Sequence, residues 1–334
     1  MSLVRSTIKD VATAAGVTAG TVSRALRGDP RVIESTRRRI LEAADKLGYR
    51  PNLQARGLQT GRTGAIGLAC PSGAWILMHP YFAPMHAGFT AAAAEEGIRV
   101  IIYAPQDSGK LERDARNTGA RELLDGRVDG TVIYQAQELA PATIQQLQDM
   151  GLTVVLMNTD EEVPGFFQIL SGAEQRARES MRWAHELGAK RVAVLGLSAG
   201  TPYNAVIRRG VESSRQPMAV SYFDIESADP YQQGALDKAL DELDKSGVDA
   251  VIFGADFHVA HYLQREHAGT LAKGRKLFGF GGTHSSAHLV FPGVHYLESD
   301  LLAAGRHAYS LFKDALVKKP PRSERLFWSR RPEF

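Results

Sequence analysis

The chain has 334 residues, 44% of them apolar and 23% charged, and a formal net charge of +3. Its one cysteine, Cys70, excludes an intrachain disulfide, no apolar run approaches membrane-spanning length, and the N-terminus lacks a secretory apolar segment, so a cytoplasmic protein without a membrane partner is expected. The charge is unevenly spread: residues 1–61 carry eleven basic and five acidic side chains, a net of +6, which leaves −3 for the other 273.

A basic head on a mildly acidic body is the electrostatic footprint of a nucleic-acid-binding arm. The head begins with a predicted helix over 8–15. Thr7 caps it, Ile8, Val11, Ala12 and Ala15 recur at helical spacing, and Gly16 fits the left-handed position that ends it. Thr18 caps a second helix that turns Val22, Ala25 and Leu26 inward and leaves Ala19, Gly20, Thr21, Ser23 and Arg24 outside. Two short helices around a glycine turn form a helix-turn-helix, whose second helix enters the major groove. A third helix is expected after Pro30, capped by Ser35 or Thr36, with Ile40, Leu41, Ala44 and Leu47 buried and Gly48 closing it. The stretch from Tyr49 to Thr63, with Pro51, Gly57 and Gly61, reads as a linker that is helical only when something holds it.

Beyond the linker, strands and helices alternate. Strands are predicted at 65–69, 99–103, 130–134, 153–157, 191–195, 221–225, 250–253 and 276–280, and helices at 88–97, 110–124, 141–150, 174–187 and 229–244. Such alternation means parallel sheets, and ligands of open parallel sheets lie beyond the carboxyl ends of the strands.

Thr7-Ile-Lys-Asp-Val-Ala, Gly16-Val, Thr21-Val-Ser-Arg, Thr36-Arg, Leu47-Gly-Tyr-Arg-Pro-Asn52 and Gly61-Arg-Thr-Gly-Ala-Ile-Gly67 stand in an order that resembles the lactose-repressor (LacI/GalR) family of bacterial transcription regulators. The resemblance implies an α/β chain: a small all-α helix-turn-helix head plus two doubly wound parallel-sheet lobes of the periplasmic-binding-protein-like type I. By this reading the head spans 1–50 and a hinge helix 51–62. The N-terminal lobe takes 63–159 with 294–318, and the C-terminal lobe 160–293 with 319–334.

It also implies a homodimer on a palindromic operator in double-stranded DNA, most simply as a repressor, with a small-molecule effector between the lobes. In the recognition helix, the Arg24 fork matches the two acceptors of guanine, while Thr18, Thr21 and Ser23 suit phosphates. Ala19 and Gly20 stand where the family places its base-discriminating side chains, and Leu58 stands where a leucine wedge enters the minor groove. Thr7, Arg27, Asn52, Ala55 and Arg56 complete the candidate DNA contacts.

At the cleft the sequence departs from the family. An arginine expected five residues before Gly210 is Ala205, an Asn-Asp pair is Ala255-Asp256, and an aspartate is lost within Gly279-Phe-Gly-Gly-Thr283. Trp75, Tyr81, Phe82, Tyr134, Asp160, Tyr203, Phe223, Asp256, Phe257, Thr283 and His284 remain as candidate effector residues, an aromatic set that fits a sugar or a flat molecule without the usual polar anchors.

Other chemistries fit less well. Gly196-Leu-Ser-Ala-Gly200 matches a hydrolase nucleophile elbow at Ser198, with Asp256 and His284 in order behind it, but Pro202 stands where the elbow's helix must begin. His258 with His261, and His284 with His288, lack the further ligands of a metal site, and Gly279-Phe-Gly-Gly is no dinucleotide fingerprint. No cofactor, metal or catalytic residue is expected. An exported solute-binding protein would need a signal and has no use for residues 1–61.

Overall fold

The computed structural model describes residues 6–50, 62–70, 77, 79, 81–103, 123–134, 139, 141–198, 201–225, 233–266, 274–280, 293–326 and 328–331. The chain divides into two units, Met1–Thr63 and Gly64–Phe334.

In the first unit, α1 (Ile8–Ala14), α2 (Ala19–Leu26) and α3 (Glu34–Lys46) pack around Val11, Ala15, Val22, Ala25, Val32, Ile40 and Ala44. Gly16 (φ 61°) and Gly48 (φ 59°) are left-handed after the first and third helices, where a side chain would strain the backbone. The cap and buried stripe of α3 differ from expectation. Its cap residue is Ile33, which gives no side-chain bond, and Leu41 and Leu47 stay 48% and 37% exposed. The short helices α1 and α2 cover only one side of α3, and Ala43 and Ala44 fill the contact in their place.

The second unit holds two six-stranded sheets. The first contains β1 (Ala65–Ala69), β2 (Arg99–Tyr103), β3 (Thr131–Tyr134), β4 (Val154–Thr159), β5 (Phe167–Leu170) and β11 (Ser323–Arg325) in the order β11-β5-β4-β3-β1-β2, all parallel. The second contains β6 (Arg191–Ser198), β7 (Ala219–Ile225), β8 (Ala250–Phe253), β9 (Lys276–Gly279), β10 (Val294–Ser299) and β12 (Trp328–Arg331) in the order β12-β10-β9-β8-β6-β7, with only β12 antiparallel. Central strands such as β1, β3, β4 and β8 are buried throughout, as strands covered on both faces must be.

On the first sheet lie α4 (Ala83–Glu95) and α5 (Pro141–Asp149). The second carries α6 (Ala173–Glu186), α7 (Pro202–Ser213), α8 (Gln233–Lys245) and α9 (Asp256–Glu266). The long α10 (Leu301–Leu316) returns to the first sheet and packs along α4.

The boundaries expected between the lobes are corrected by this pairing. β5 and β11 belong to the first sheet and β10 to the second. The chain therefore crosses after Leu170, after Ser299 and after Leu326, six to ten residues from the expected points. The first expected boundary, between residues 159 and 160, falls instead at the start of the turn between β4 and β5 within the first sheet. The expected helix over 110–124 lies almost entirely outside the described residues.

Candidate DNA interface and sensor cleft

In the head, two threonines cap the first two helices. Thr7 closes a capping box: its hydroxyl accepts from Asp10 N, while its own N–H and hydroxyl donate to Asp10 Oδ2 at 2.7 and 2.8 Å. Thr18 Oγ1 accepts from Thr21 N at 3.2 Å and pairs with the Thr21 hydroxyl at 3.0 Å, so both hydroxyls are oriented at the helix N-terminus. With Val22 and Ala25 buried below, α2 presents Thr18, Gly20, Arg24 and Arg27 as exposed and Ala19, Thr21 and Ser23 as half-exposed.

The basic residues of the head divide into two kinds. Arg37 is structural, because its guanidinium donates to the carbonyls of Ala25, Asp29 and Val32 at 3.1, 2.8 and 3.3 Å and ties α3 to the loop after α2. Arg31 grips Asp29 through two nitrogens and holds that carboxyl far below the usual range. Arg24 and Arg27 make no hydrogen bond or ion pair among the described residues and are free to meet DNA. Asn52, Ala55, Arg56 and Leu58 lie outside the described residues.

In the body, a cluster forms where strand ends of both sheets meet. Tyr81, just before α4, donates its hydroxyl to Asn158 Oδ1 at 3.0 Å, and Asn158 holds a left-handed backbone (φ 56°) in β4. From the second lobe, Arg176 of α6 reaches the Tyr81 hydroxyl through Nη2 at 3.4 Å and the Phe280 carbonyl through Nη1 at 2.5 Å. Its guanidinium carbon lies 5.7 Å from the Tyr81 ring centre and 5.5 Å from that of Phe280. Tyr203, in the first turn of α7, donates to the Gly254 carbonyl at 3.0 Å. Ser171 donates to Asp160 Oδ1 at 2.5 Å, and the His79 ring meets the edge of Phe257 with centres 5.9 Å apart.

Electrostatics ties these groups together. Burial pushes both tyrosine hydroxyls up, with Asp160 and Asp256 adding to the rise and Arg176 opposing it. For Arg176, burial acts to lower the guanidinium, but Tyr81, Tyr203 and Asp256 outweigh it and hold it above its ordinary value. Burial brings His79 down to about 4.

Of the expected cleft residues, Tyr81, Tyr203, Asp160, Asp256 and Phe257 come together here. Two others are packing residues and not cleft walls: Phe82 is 5% exposed and Tyr134 is fully buried, both within the first lobe's core, because both side chains turn back under the strand ends. Phe223 packs on the core beneath α8 and α9. Trp75, Thr283 and His284 lie outside the described residues. The proline objection to a hydrolase elbow also falls, since Pro202 starts α7 at a position proline favours and Thr201 caps it. Ser198 ends β6, paired with Ile225, while residues 199–200 and His284 lie outside the described residues.

Arg176, Asn158, His79 and Phe280 were not foreseen. Arg176 had a signal: it lies on the stripe Ala173, Ala177, Ser180 and Ala184, the buried face of α6, where a charge has no place without a partner.

Bacterial regulatory proteins of the lacI family match residues 7–52, and the periplasmic binding proteins and sugar binding domain of the LacI family match residues 63–293. The chain belongs to the LacI family. Among LacI-family relatives, catabolite control protein A of Priestia megaterium is 28% identical over 257 residues, covering 75% of this chain and 74% of that protein. The transcriptional regulator RegA of Clostridium acetobutylicum is 35% identical over 156 residues, and the match spans under half of it, 44%. The solved lac repressor dimer, bound to operator and the anti-inducer ONPF, shares the fold over 98% of both chains with a TM-score of 0.76 at 20% identity. As a LacI-family chain, the protein is a transcription regulator with a helix-turn-helix head and an effector-binding body.

Proposed function

We propose that this regulator binds a palindromic operator as a homodimer and represses from it, under the control of a small molecule held between the lobes. The carrying observation is the α2 surface: hydroxyl and basic groups outward, Arg24 unengaged, and a glycine that lets the backbone approach DNA closely. The effector is read as a sugar or a flat polar molecule stacked on Tyr81, Tyr203 and Phe257. Polar recognition then falls to Asp160 and Asp256, since Ala205 and Ala255 supply none. Binding shifts the populations of two lobe arrangements and, through the linkers, the DNA-competent state.

The test is selection of an operator from random duplexes, followed by titration of Arg24→Ala. A bidentate guanine contact contributes about 1–3 kcal/mol of discrimination and the homodimer makes it twice, so affinity for the selected palindrome should fall about 30-fold to 10⁴-fold, with specificity relaxed at one base pair per half-site. An equal loss on every sequence would make Arg24 a phosphate contact. No selected site at all would overturn the reading.

A further inference from the structure

The buried arginine of α6 is not explained by recognition of DNA or by an exposed effector surface. Arg176 is 1% exposed, so no ligand reaches its guanidinium while the lobes stand as they do. Among the described residues it forms no ion pair, Asp256 acts on it only as a more distant charge, and its Nε is buried without a hydrogen bond. A guanidinium taken out of water at such cost must be held by something else. What holds it comes from both lobes: the Tyr81 hydroxyl and ring face from the first, and the Phe280 carbonyl and ring from the second. Guanidinium is planar and weakly hydrated, which suits it to a slot between aromatic rings.

We propose that Arg176 is a cross-lobe strut, a side chain standing inside the sensor cleft that holds the two lobes together without a bound molecule. Its position suits the role. Arg176 follows the Ser171-Gly172 crossing by one helical turn, and Gly172 is left-handed (φ 68°) at that crossing. Asp160 and Ser171 clasp the same crossing from the first lobe's side. Farther along, Arg209 of α7 pairs with Glu161 in the β4–β5 turn at 2.6 Å, a second and more exposed link between the lobes. The strut biases the equilibrium toward the closed arrangement before any effector arrives, so an effector acts by strengthening or displacing it. This deepens the two-lobe sensor reading and rests on it.

The test measures the lobes directly. Spin labels are placed in the full-length chain through Thr90→Cys on α4 and Glu212→Cys on α7, both exposed. Cys70 does not compete, being buried with its thiol pushed up to about 12. In the parent, diluted into an excess of unlabelled chain so that each homodimer carries at most one labelled protomer, double electron–electron resonance should give one narrow distance distribution. Arg176→Ala should move it to longer distances and broaden it. Tyr81→Phe, which keeps the ring and removes only the hydroxyl, should give a smaller shift in the same direction. Should Arg176→Ala fail to fold by circular dichroism, Tyr81→Phe decides alone. A distribution unchanged in every folded variant overturns the strut. Operator binding by the parent is measured separately: its absence would sink the regulator reading and leave the strut standing.

Discussion

Arg176 and Arg275 are both buried, yet each is stabilised differently. Arg275 has an ordinary solution, with Asp244 at 2.6 Å, the Tyr262 hydroxyl at 3.1 Å and backbone carbonyls around its other nitrogens. Arg176 has aromatic faces, one carbonyl and a long bond to the Tyr81 hydroxyl, a weaker substitute for water and so one more easily traded against motion. His258 is a third case: fully buried, in edge contact with Phe257 at 4.2 Å, and with neither ring nitrogen hydrogen-bonded. Burial, and then the charges of His261 and His79, bring it down to about 3. The unfolded chain therefore takes up a proton near pH 6.5 that the folded chain refuses until about pH 3. Stability contributed by neutral His258 is complete above about pH 6.5 and is lost as pH falls toward 3. The groups facing it are His79 from before α4 and His261 on α9, the latter 2.8 Å from Asp237. His258→Phe should leave the melting temperature at pH 8 nearly unchanged and flatten its decline between pH 6.5 and 4.5. A decline as steep as the parent's would assign the acid sensitivity to His79.

At the scale of elements, the α4–α10 pair shows why glycines sit in two well-formed helices. A Cβ on Gly88 would lie 2.0 Å from the Leu302 carbonyl oxygen, and one on Gly305 would lie 2.1 Å from that of Met85. The obstacles are backbone, which cannot step aside, so the helices must part. Gly88→Ala and Gly305→Ala should each cost about 1–3 kcal/mol, the usual penalty of overpacking, read as a fall in melting temperature. Gly234 in α8 is the control, since nothing lies within 4 Å of its Cβ position and alanine there should stabilise by up to about 1 kcal/mol. Equal melting of all three variants would refute the close-contact account.

These helices also show what the sequence made legible. The strand runs of β1 to β4 and the capped head helices were readable because buried apolar runs and threonine caps act locally. The start of α4 was not: the expected helix begins at Gly88, whereas the helix begins at Ala83 with Pro84 in its first turn, a position proline favours. β5 was missed because four residues carry too little pattern, and its membership in the first sheet depends on pairing with β4 and β11. The cleft suffered most. Aromatic residues at strand ends look alike in sequence, and only packing separates Tyr81, which faces the other lobe, from Tyr134, which faces the core.

The whole molecule combines a small basic unit with a large acidic one, and their stabilities should be separable. The head's core is built largely of alanine and valine, an amount of apolar burial that leaves a domain of about 60 residues only marginally stable. The body has several cores and begins firmly, with Gly64 N donating to Asp129 Oδ2 at 2.9 Å. A chain of residues 64–334 should therefore melt cooperatively close to the parent temperature and lose all specific operator binding. The isolated head, residues 1–63, should keep its helices but bind a half-site far more weakly than the parent binds a full operator. Linking two heads through a dimeric body raises the effective concentration of the second, an advantage of about 10²–10⁴ in affinity without any new contact. That advantage must vanish on a duplex with a single half-site, where parent and head should bind alike within a few-fold. A parent that still outbinds the head 100-fold on the half-site would place DNA contacts in the body. A body fragment that retains specific binding would remove the head from its assigned role.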